Sequence, residues 1–425
     1  MKYLVLIGDG MSDYPVKELG GKTPLEAAKT PNMDFLAQNG ECGWVQNVPS
    51  GMSPGSDVAA MSIFGYDPKK YYTGRGPLEA ASLGVKLNKN EVAFRCNLVT
   101  VKDGKMDDFT AGHISNREAE QIIKTLNKKL GSKAVKFYSG LSYRHLLVIS
   151  NLSARGAVPA GRQESAFGGK DQNSKIKCTP PHDITGKLIE DYLPQGGGSD
   201  LIRHLMKESI MPLLEHQVNI KRIKVGKKPA SMIWLWGQGA APQLIPFRKK
   251  YKKSGAVITA VHLLKGLGNI LGLKIIDVPG ATGFLDTNYK GKAEYALRAL
   301  KKCDLVFVHV EAPDEAGHMG DVKGKIQAIE DFDKKVVGTI LNALRVTRYA
   351  LRILVLPDHP TPIAKMTHTS DPVPFVIYSS RVTCLPAGTA SNEKRVKGFS
   401  EREIKKSKLF IKRGHELMKR LLGLK

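Results

Sequence analysis

The chain is punctuated by short apolar runs that end abruptly in acidic or imidazole side chains. Leu4 to Ile7, Leu305 to Val310 and Ile353 to Leu356 are rich in Val, Ile and Leu and lack polar alternation, the pattern of strands in a parallel sheet buried on both faces. Each leads directly into chemistry: Gly8-Asp9-Gly10, Glu311-Ala312-Pro313-Asp314 and Pro357-Asp358-His359. Further apolar runs at Ser231 to Trp236, Ala256 to Val261 and Leu273 to Val278 alternate with helical stretches at Ala293 to Lys302 and Gly324 to Leu344. That alternation predicts an α/β fold with a mostly parallel sheet and helices on both faces.

Between about Leu87 and Leu193 the pattern changes. Val92 to Val101 and Leu146 to Ile149 read as strands and Ser115 to Leu130 as a helix, but none of these strands ends in a candidate ligand. Gly196-Gly197-Gly198-Ser199, a hinge or a helix cap, then leads into the amphipathic stretch Asp200 to His216. The expected organisation is a discontinuous first domain, 1–86 and 200–425, interrupted by a smaller inserted α+β domain at 87–199. At 425 residues and 42% hydrophobic content, the chain is long enough for two cores.

In an open α/β sheet the ligand crevice lies beyond the carboxyl ends of the strands, so residues far apart in sequence can meet there. Asp314 and His318 are four apart and share a face if the turn after the strand is helical. His368, in Thr367-His368-Thr369, completes that set. Asp9, Asp358, His359 and Ser56 make a second. A mixed oxygen and nitrogen shell suits Mn²⁺ or Zn²⁺, with Mg²⁺ a further candidate. Ser56 lies in Pro54-Gly55-Ser56-Asp57, ahead of a helical stretch from Val58 to Phe64 that Gly65 closes. Gly55 permits a tight turn there. Free N–H groups and the positive dipole end at a helix start favour a phosphate, and a divalent cation can activate a serine hydroxyl at neutral pH. Each residue alone has a plainer reading: Ser56 as an N-cap, an Asp after a strand as a turn former, a lone His as a satisfied polar group. The combination points instead to two-metal phosphoryl transfer.

Five segments carry a resemblance: Lys2 to Ser12, the Ser56 region with Gly65-Tyr66-Asp67-Pro68 behind it, Glu311 to His318, Pro357 to Pro362, and Thr367 to Pro372. Together they resemble the cofactor-independent phosphoglycerate mutases of archaeal type, in the alkaline phosphatase superfamily, over nearly the whole chain. The resemblance implies an alkaline-phosphatase-like sheet. It further implies that Asp9, Ser56, Asp358 and His359 hold the ion that activates the serine, and Asp314, His318 and His368 a second ion. Ser56 would take the phosphoryl group of 3-phosphoglycerate as phosphoserine and return it to the 2-hydroxyl, without 2,3-bisphosphoglycerate, as a step of glycolysis and gluconeogenesis. Such an enzyme must retain glycerate and exclude water between its half-reactions, so the inserted domain is expected to close over the first. Its candidates for carboxylate and hydroxyl contacts are His113, Arg144, Arg162 and Asp183, led by Arg144 because a guanidinium binds carboxylate bidentately. Lys292 resembles the family's phosphate-facing lysine, with Lys290 as the alternative. A phosphatase, phosphodiesterase or phosphonate hydrolase of the same superfamily would use the same ions and serine with water as acceptor. A non-catalytic binding protein would have no use for both ligand sets.

A net charge of +25 invites a nucleic-acid reading. Yet the basic pairs Lys128-Lys129, Lys249-Lys250, Lys252-Lys253 and Lys405-Lys406 are dispersed and not interleaved with aromatics, unlike a stacking groove. The charge is better suited to drawing in a phosphorylated small molecule. Cys42, Cys96, Cys178, Cys303 and Cys384 are odd in number, scattered and without a C-x-x-C pair, against a disulfide framework. The apolar start, Tyr3 to Ile7, is too short for a signal sequence, and no run approaches the ~20 residues of a membrane helix. A soluble cytoplasmic protein is expected, with no nucleic-acid or membrane partner and with homo-oligomerisation left open.

Overall fold

The computed structural model describes residues 1–150, 176–344, 350–380 and 396–424. The chain divides into two compact units, Met1–Tyr72 with Leu244–Lys425, and Thr73–Gln243. Its strands begin with β1 (Lys2–Gly8), β2 (Glu41–Val45), β3 (Glu91–Lys102), β4 (Lys105–Asp108), β5 (Val135–Leu141), β6 (Arg144–Ser150) and β7 (Met232–Ala240). They continue with β8 (Gly255–Ile258), β9 (Lys274–Ile275), β10 (Leu305–Val310), β11 (Leu351–Leu356), β12 (Val373–Ser379) and β13 (Phe410–Ile411).

The first unit carries an eight-stranded sheet in the order β13-β2-β12-β11-β1-β10-β8-β9. From β11 to β9 every neighbouring pair is parallel, and only β12 runs against its neighbours. This is the mostly parallel sheet the apolar runs predict. All six residues of β10 are buried, and alternate side chains serve opposite faces. Leu4, Leu6, Val306 and Val308 pack with Ala293, Ala296 and Leu300 of the helix Tyr289–Leu300 and with Ile329 and Phe332. On the alternate positions, Phe307 stacks on Phe64, just beyond the helix Ser56–Ile63, with ring centroids 4.0 Å apart. Each fully buried side chain of this size stabilises the fold by roughly 1.5–3 kcal/mol, and Phe307→Ala should cost about 3–5 kcal/mol.

The second unit holds an antiparallel sheet in the order β4-β3-β6-β5, with β7 also paired to β3. The run from Ser231 to Trp236, expected in the parallel sheet, therefore enters β7 from Met232 onward, with Ile233 opposite Leu98 and Trp236 opposite Arg95. A strand buried on both faces looks the same in sequence whichever sheet receives it. With β7 comes the segment that precedes it, so this unit extends past both ends of the expected 87–199 boundary. Gly198, at φ 85°, is the N-cap of the helix Ser199–Glu208 within this unit, which favours the cap reading of the glycine run. Helix Asn116–Leu130 starts with a capping box between Ser115 and Glu118 and buries Ala119, Ile122, Ile123 and Leu126, one face at helical spacing. No helix among the described residues is long and apolar enough to cross a membrane.

Candidate metal centre

Because β11, β1 and β10 are adjacent, their carboxyl ends bring Asp9, Asp358 with His359, and Asp314 side by side. The Asp9 N–H donates to the Val310 carbonyl at 2.9 Å, which ties the first of these loops to the last residue of β10. Asp358 Oδ1 accepts from the N–H groups of Gly10 at 3.1 Å and His359 at 2.8 Å, so its rotamer is fixed by backbone. Gly10 sits at φ +61°, and a Cβ there would fall 2.6 Å from Asp314 Oδ1 and from Thr361 Oγ1. Only glycine lets the β1 loop approach this closely.

The first donor set is dense. His359 Nε2 lies 3.3 Å from Asp358 Oδ2 and 3.6 Å from Asp9 Oδ1. The Ser56 hydroxyl lies 3.2 Å from His359 Nε2 and 3.5 Å from Asp9 Oδ2. Asp9 Oδ1 and Asp358 Oδ2 are buried without a hydrogen-bond partner among the described residues, a costly state for carboxylate oxygens. Burial, with Asp358 and Asp314 close by, pushes the Asp9 carboxyl well above its ordinary value. Burial also lowers the pKa of His359, which favours the neutral ring with a lone pair to give. Packed acids with orphaned oxygens beside a neutral imidazole are a donor set suited to a divalent cation.

Ser56 is the first residue of its helix and makes no capping bond; Gly55 is the N-cap, in extended backbone at φ 169° rather than a tight turn. The hydroxyl is thus turned to Asp9 and His359, not to its own helix.

The second set forms as the four-residue spacing predicts, on the helix Ala312–His318. Asp314 Oδ2 lies 3.2 Å from His318 Nε2, and Asp314 Oδ1 3.4 Å from His368 Nε2. The two Nε2 atoms are 2.9 Å apart. His318 Nδ1 is 3.0 Å from the Met366 carbonyl, an arrangement that leaves Nε2 for a ligand. The bond to Asp314 raises the His318 pKa to about 9. Although burial opposes it, bonding to His318 and His368 holds the Asp314 carboxyl well below the usual range, and the Thr361 hydroxyl donates to its Oδ1. In each triad, Asp9 with Asp358 and His359 and Asp314 with His318 and His368, the donor atoms lie within 4.8 Å of one another.

Three of the expected substrate contacts fall in the second unit. His113 is exposed, with φ +48°. Arg144 is exposed, its guanidinium 5.1 Å from the Tyr143 ring centroid. Asp183 is exposed in the turn Pro181–Ile184. Arg162 lies outside the described residues. Arg95 is not among the expected contacts, although an arginine inside an apolar strand stands out in the sequence; it is buried in β3. Its Nε pairs with Glu79 Oε1 at 2.9 Å, and its guanidinium lies 4.3 Å from the Trp236 ring, with that of Arg75 at 5.8 Å from the same ring. Burial lowers the Arg95 pKa, and the charges of Arg75 and Arg144 lower it further against the pull of Glu79.

Lys292 departs from expectation. Rather than an open phosphate-facing ammonium, it is fully buried, donating to Glu311 Oε2 at 2.6 Å and to the His309 carbonyl at 2.9 Å. Its helix packs against the sheet, and an interior ammonium must be paired there. Lys290 is solvated, 3.8 Å from Glu294.

Residues 37–219 match the family described as 2,3-bisphosphoglycerate-independent phosphoglycerate mutase. Over 410 residues the chain is 52% identical to the protein of that name from Methanosarcina barkeri, spanning 96% of this chain and 98% of the relative. Its fold is similar to that of the PH0037 protein from Pyrococcus horikoshii, with a TM-score of 0.77 at 31% identity over 99% and 97% of the two chains. It is also similar to the cofactor-independent phosphoglycerate mutase from Thermoplasma acidophilum, with a TM-score of 0.63 at 28% identity over 100% and 99%. With half its residues shared along nearly its whole length, the chain belongs to the family of 2,3-bisphosphoglycerate-independent phosphoglycerate mutases.

Proposed function

We propose that this protein is an isomerase that interconverts 3-phosphoglycerate and 2-phosphoglycerate by way of a phosphoserine at Ser56, independently of 2,3-bisphosphoglycerate. The observation that carries the reading is the meeting of two three-residue donor sets at the ends of three adjacent parallel strands, with the Ser56 hydroxyl against one of them. Asp9, Asp358, His359 and Ser56 would hold one divalent ion and Asp314, His318 and His368 the other, Mn²⁺ or Zn²⁺ by donor type, with Mg²⁺ also compatible. When bound, such ions polarise phosphoryl oxygens and stabilise the attacking and leaving oxygens of an in-line transfer.

The Ser56 hydroxyl gives up its proton as Oγ attacks phosphorus, the bond from phosphorus to the 3-oxygen breaks, and that oxygen takes up a proton in its place. The glycerate 2-hydroxyl then attacks the phosphoserine, loses its proton and releases the Ser56 hydroxyl, so nothing is consumed. Ser56 opens its helix, and the positive dipole end there favours the phosphoryl oxygens. For recognition of the glycerate carboxylate we assign Arg144, with the Arg75 and Arg95 cluster around Trp236 adding positive charge in the same unit. A reducing cytoplasm suits the free thiols Cys42, Cys96, Cys178 and Cys303.

The test is an enolase-coupled assay on 3-phosphoglycerate with Mn²⁺ and without bisphosphoglycerate, with free phosphate measured alongside. Formation of 2-phosphoglycerate without phosphate release is expected. Free phosphate without 2-phosphoglycerate would instead support a hydrolase using the same serine.

A further inference from the structure

His309 is the one polar residue of β10, is 1% exposed, and takes no part in either donor set. Glu311, two residues on, holds its ring. Glu311 Oε1 accepts from the Thr259 hydroxyl at 2.9 Å and the Ala260 N–H at 2.9 Å, and lies 3.1 Å from His309 Nδ1. Glu311 Oε2 accepts from Lys292 at 2.6 Å, and the same ammonium donates to the His309 carbonyl at 2.9 Å. Ring and backbone of His309 are thereby fixed from both ends by groups that are themselves buried: Lys292 at 0% exposure, Glu311 at 2% and Thr259 at 4%.

The free end of the clamped ring meets the metal centre. His309 Nε2 lies 3.3 Å from Asp9 Oδ2, the oxygen that also faces the Ser56 hydroxyl. The other oxygen, Oδ1, is the one near His359 Nε2. A carboxylate whose outer oxygen abuts a rigid ring cannot swing about its terminal torsion, which is otherwise soft. Removing the ring would let Asp9 turn its Oδ1 away from His359 and Asp358.

We propose that His309 is a positioning residue for Asp9. Clamped by Glu311 and Lys292, it sets the affinity of the ion beside Ser56 and leaves that of the Asp314–His318–His368 ion alone. The inference rests on the two-ion reading above. It also gives Lys292 a task, as an anchor of the clamp. Outer partners of this kind are typically worth about 10–100-fold in metal affinity.

The test is calorimetric titration of the metal-stripped full chain with Mn²⁺. Wild type should take up two ions. His309→Ala should weaken one of them by about 10–100-fold with the other unchanged, and His309→Gln, which keeps bulk and a polar end, should recover part of the loss. In a His318→Ala background, where only the Ser56-side set is complete, His309→Ala should weaken the remaining ion by the same factor. Thr259→Val, which removes one bond of the clamp, gives a milder variant should His309→Ala fail to fold, and should weaken the same ion. Wild-type affinity for both ions in folded His309→Ala, or equal weakening of both, would overturn the proposal. A wild type that binds fewer than two ions would remove the two-ion reading itself and this inference with it.

Discussion

Ser56 Oγ and His359 Nε2 lie 3.2 Å apart although 303 residues separate them. His359 follows β11 at the carboxyl end of the sheet, and the helix that Ser56 begins runs to Phe64, which stacks on Phe307 of β10. The contact places a hydroxyl without a capping role among groups fit to hold a cation. Ser56→Ala should therefore lower mutase turnover by at least about 10³-fold, as expected when a nucleophile is removed, while uptake of two Mn²⁺ per chain persists in equilibrium dialysis. Normal turnover in the variant would exclude a phosphoserine route.

Asp358 is held by two backbone N–H groups through Oδ1 and offers Oδ2 to the first set. Asp358→Ala should lose that ion as well as activity. Metal analysis after dialysis should find one Mn²⁺ per chain instead of two, and a variant that retained both would disconnect this carboxylate from metal binding.

Lys325, fully buried, ties the loop after β1 to the loop after β11. Its ammonium donates to Asp13 Oδ2 at 2.7 Å, the Thr361 carbonyl at 2.8 Å and the Ser12 carbonyl at 3.3 Å. Lys325→Met leaves the Asp13 carboxylate buried without its cation, which should cost about 3–5 kcal/mol. Adding Asp13→Asn should restore part of it. Denaturant unfolding of the three variants reads this directly, and a loss below about 1 kcal/mol would show that the ammonium is dispensable.

Glu401 makes stability depend on pH. Burial raises its carboxyl from 4.5 to about 7, even though the Thr23 hydroxyl and the Asp13 N–H donate to it; the nearby Glu26 adds to the rise. The folded state thus prefers the neutral acid. Its contribution is complete below about 4.5, where the unfolded chain is protonated too, and is lost as pH rises to about 7. The loss is about 3 kcal/mol, an order of magnitude from the pKa difference. Unfolding of wild type and Glu401→Gln measured from pH 5 to 8 should show wild type losing stability relative to the variant with rising pH. Parallel curves would contradict the buried neutral carboxyl.

Much of the candidate metal centre is legible in the chain because most of its donor residues follow continuous apolar runs, and such runs mark strands buried in a parallel sheet. The spacing of Asp314 and His318 likewise needs only one helical turn. What the chain conceals depends on which elements meet. Ser231 to Trp236 carries the same signal as the parallel strands, and its place beside β3 is decided by partners such as Leu98 and Arg95. His309 stands out in its apolar run, but its clamp draws on Thr259, 52 residues from Glu311, and on Lys292, 19 residues from it. The same pairing buries Lys292 against Glu311, since an ammonium sealed from solvent goes to the nearest carboxylate.

The most direct test of the account is the anomalous scattering of Mn²⁺ in crystals of the metal-loaded protein. Two peaks are predicted, one bounded by Asp9, Ser56, Asp358 and His359 and the other by Asp314, His318 and His368. The absence of a peak at either set, or manganese bound only elsewhere on the chain, would contradict it.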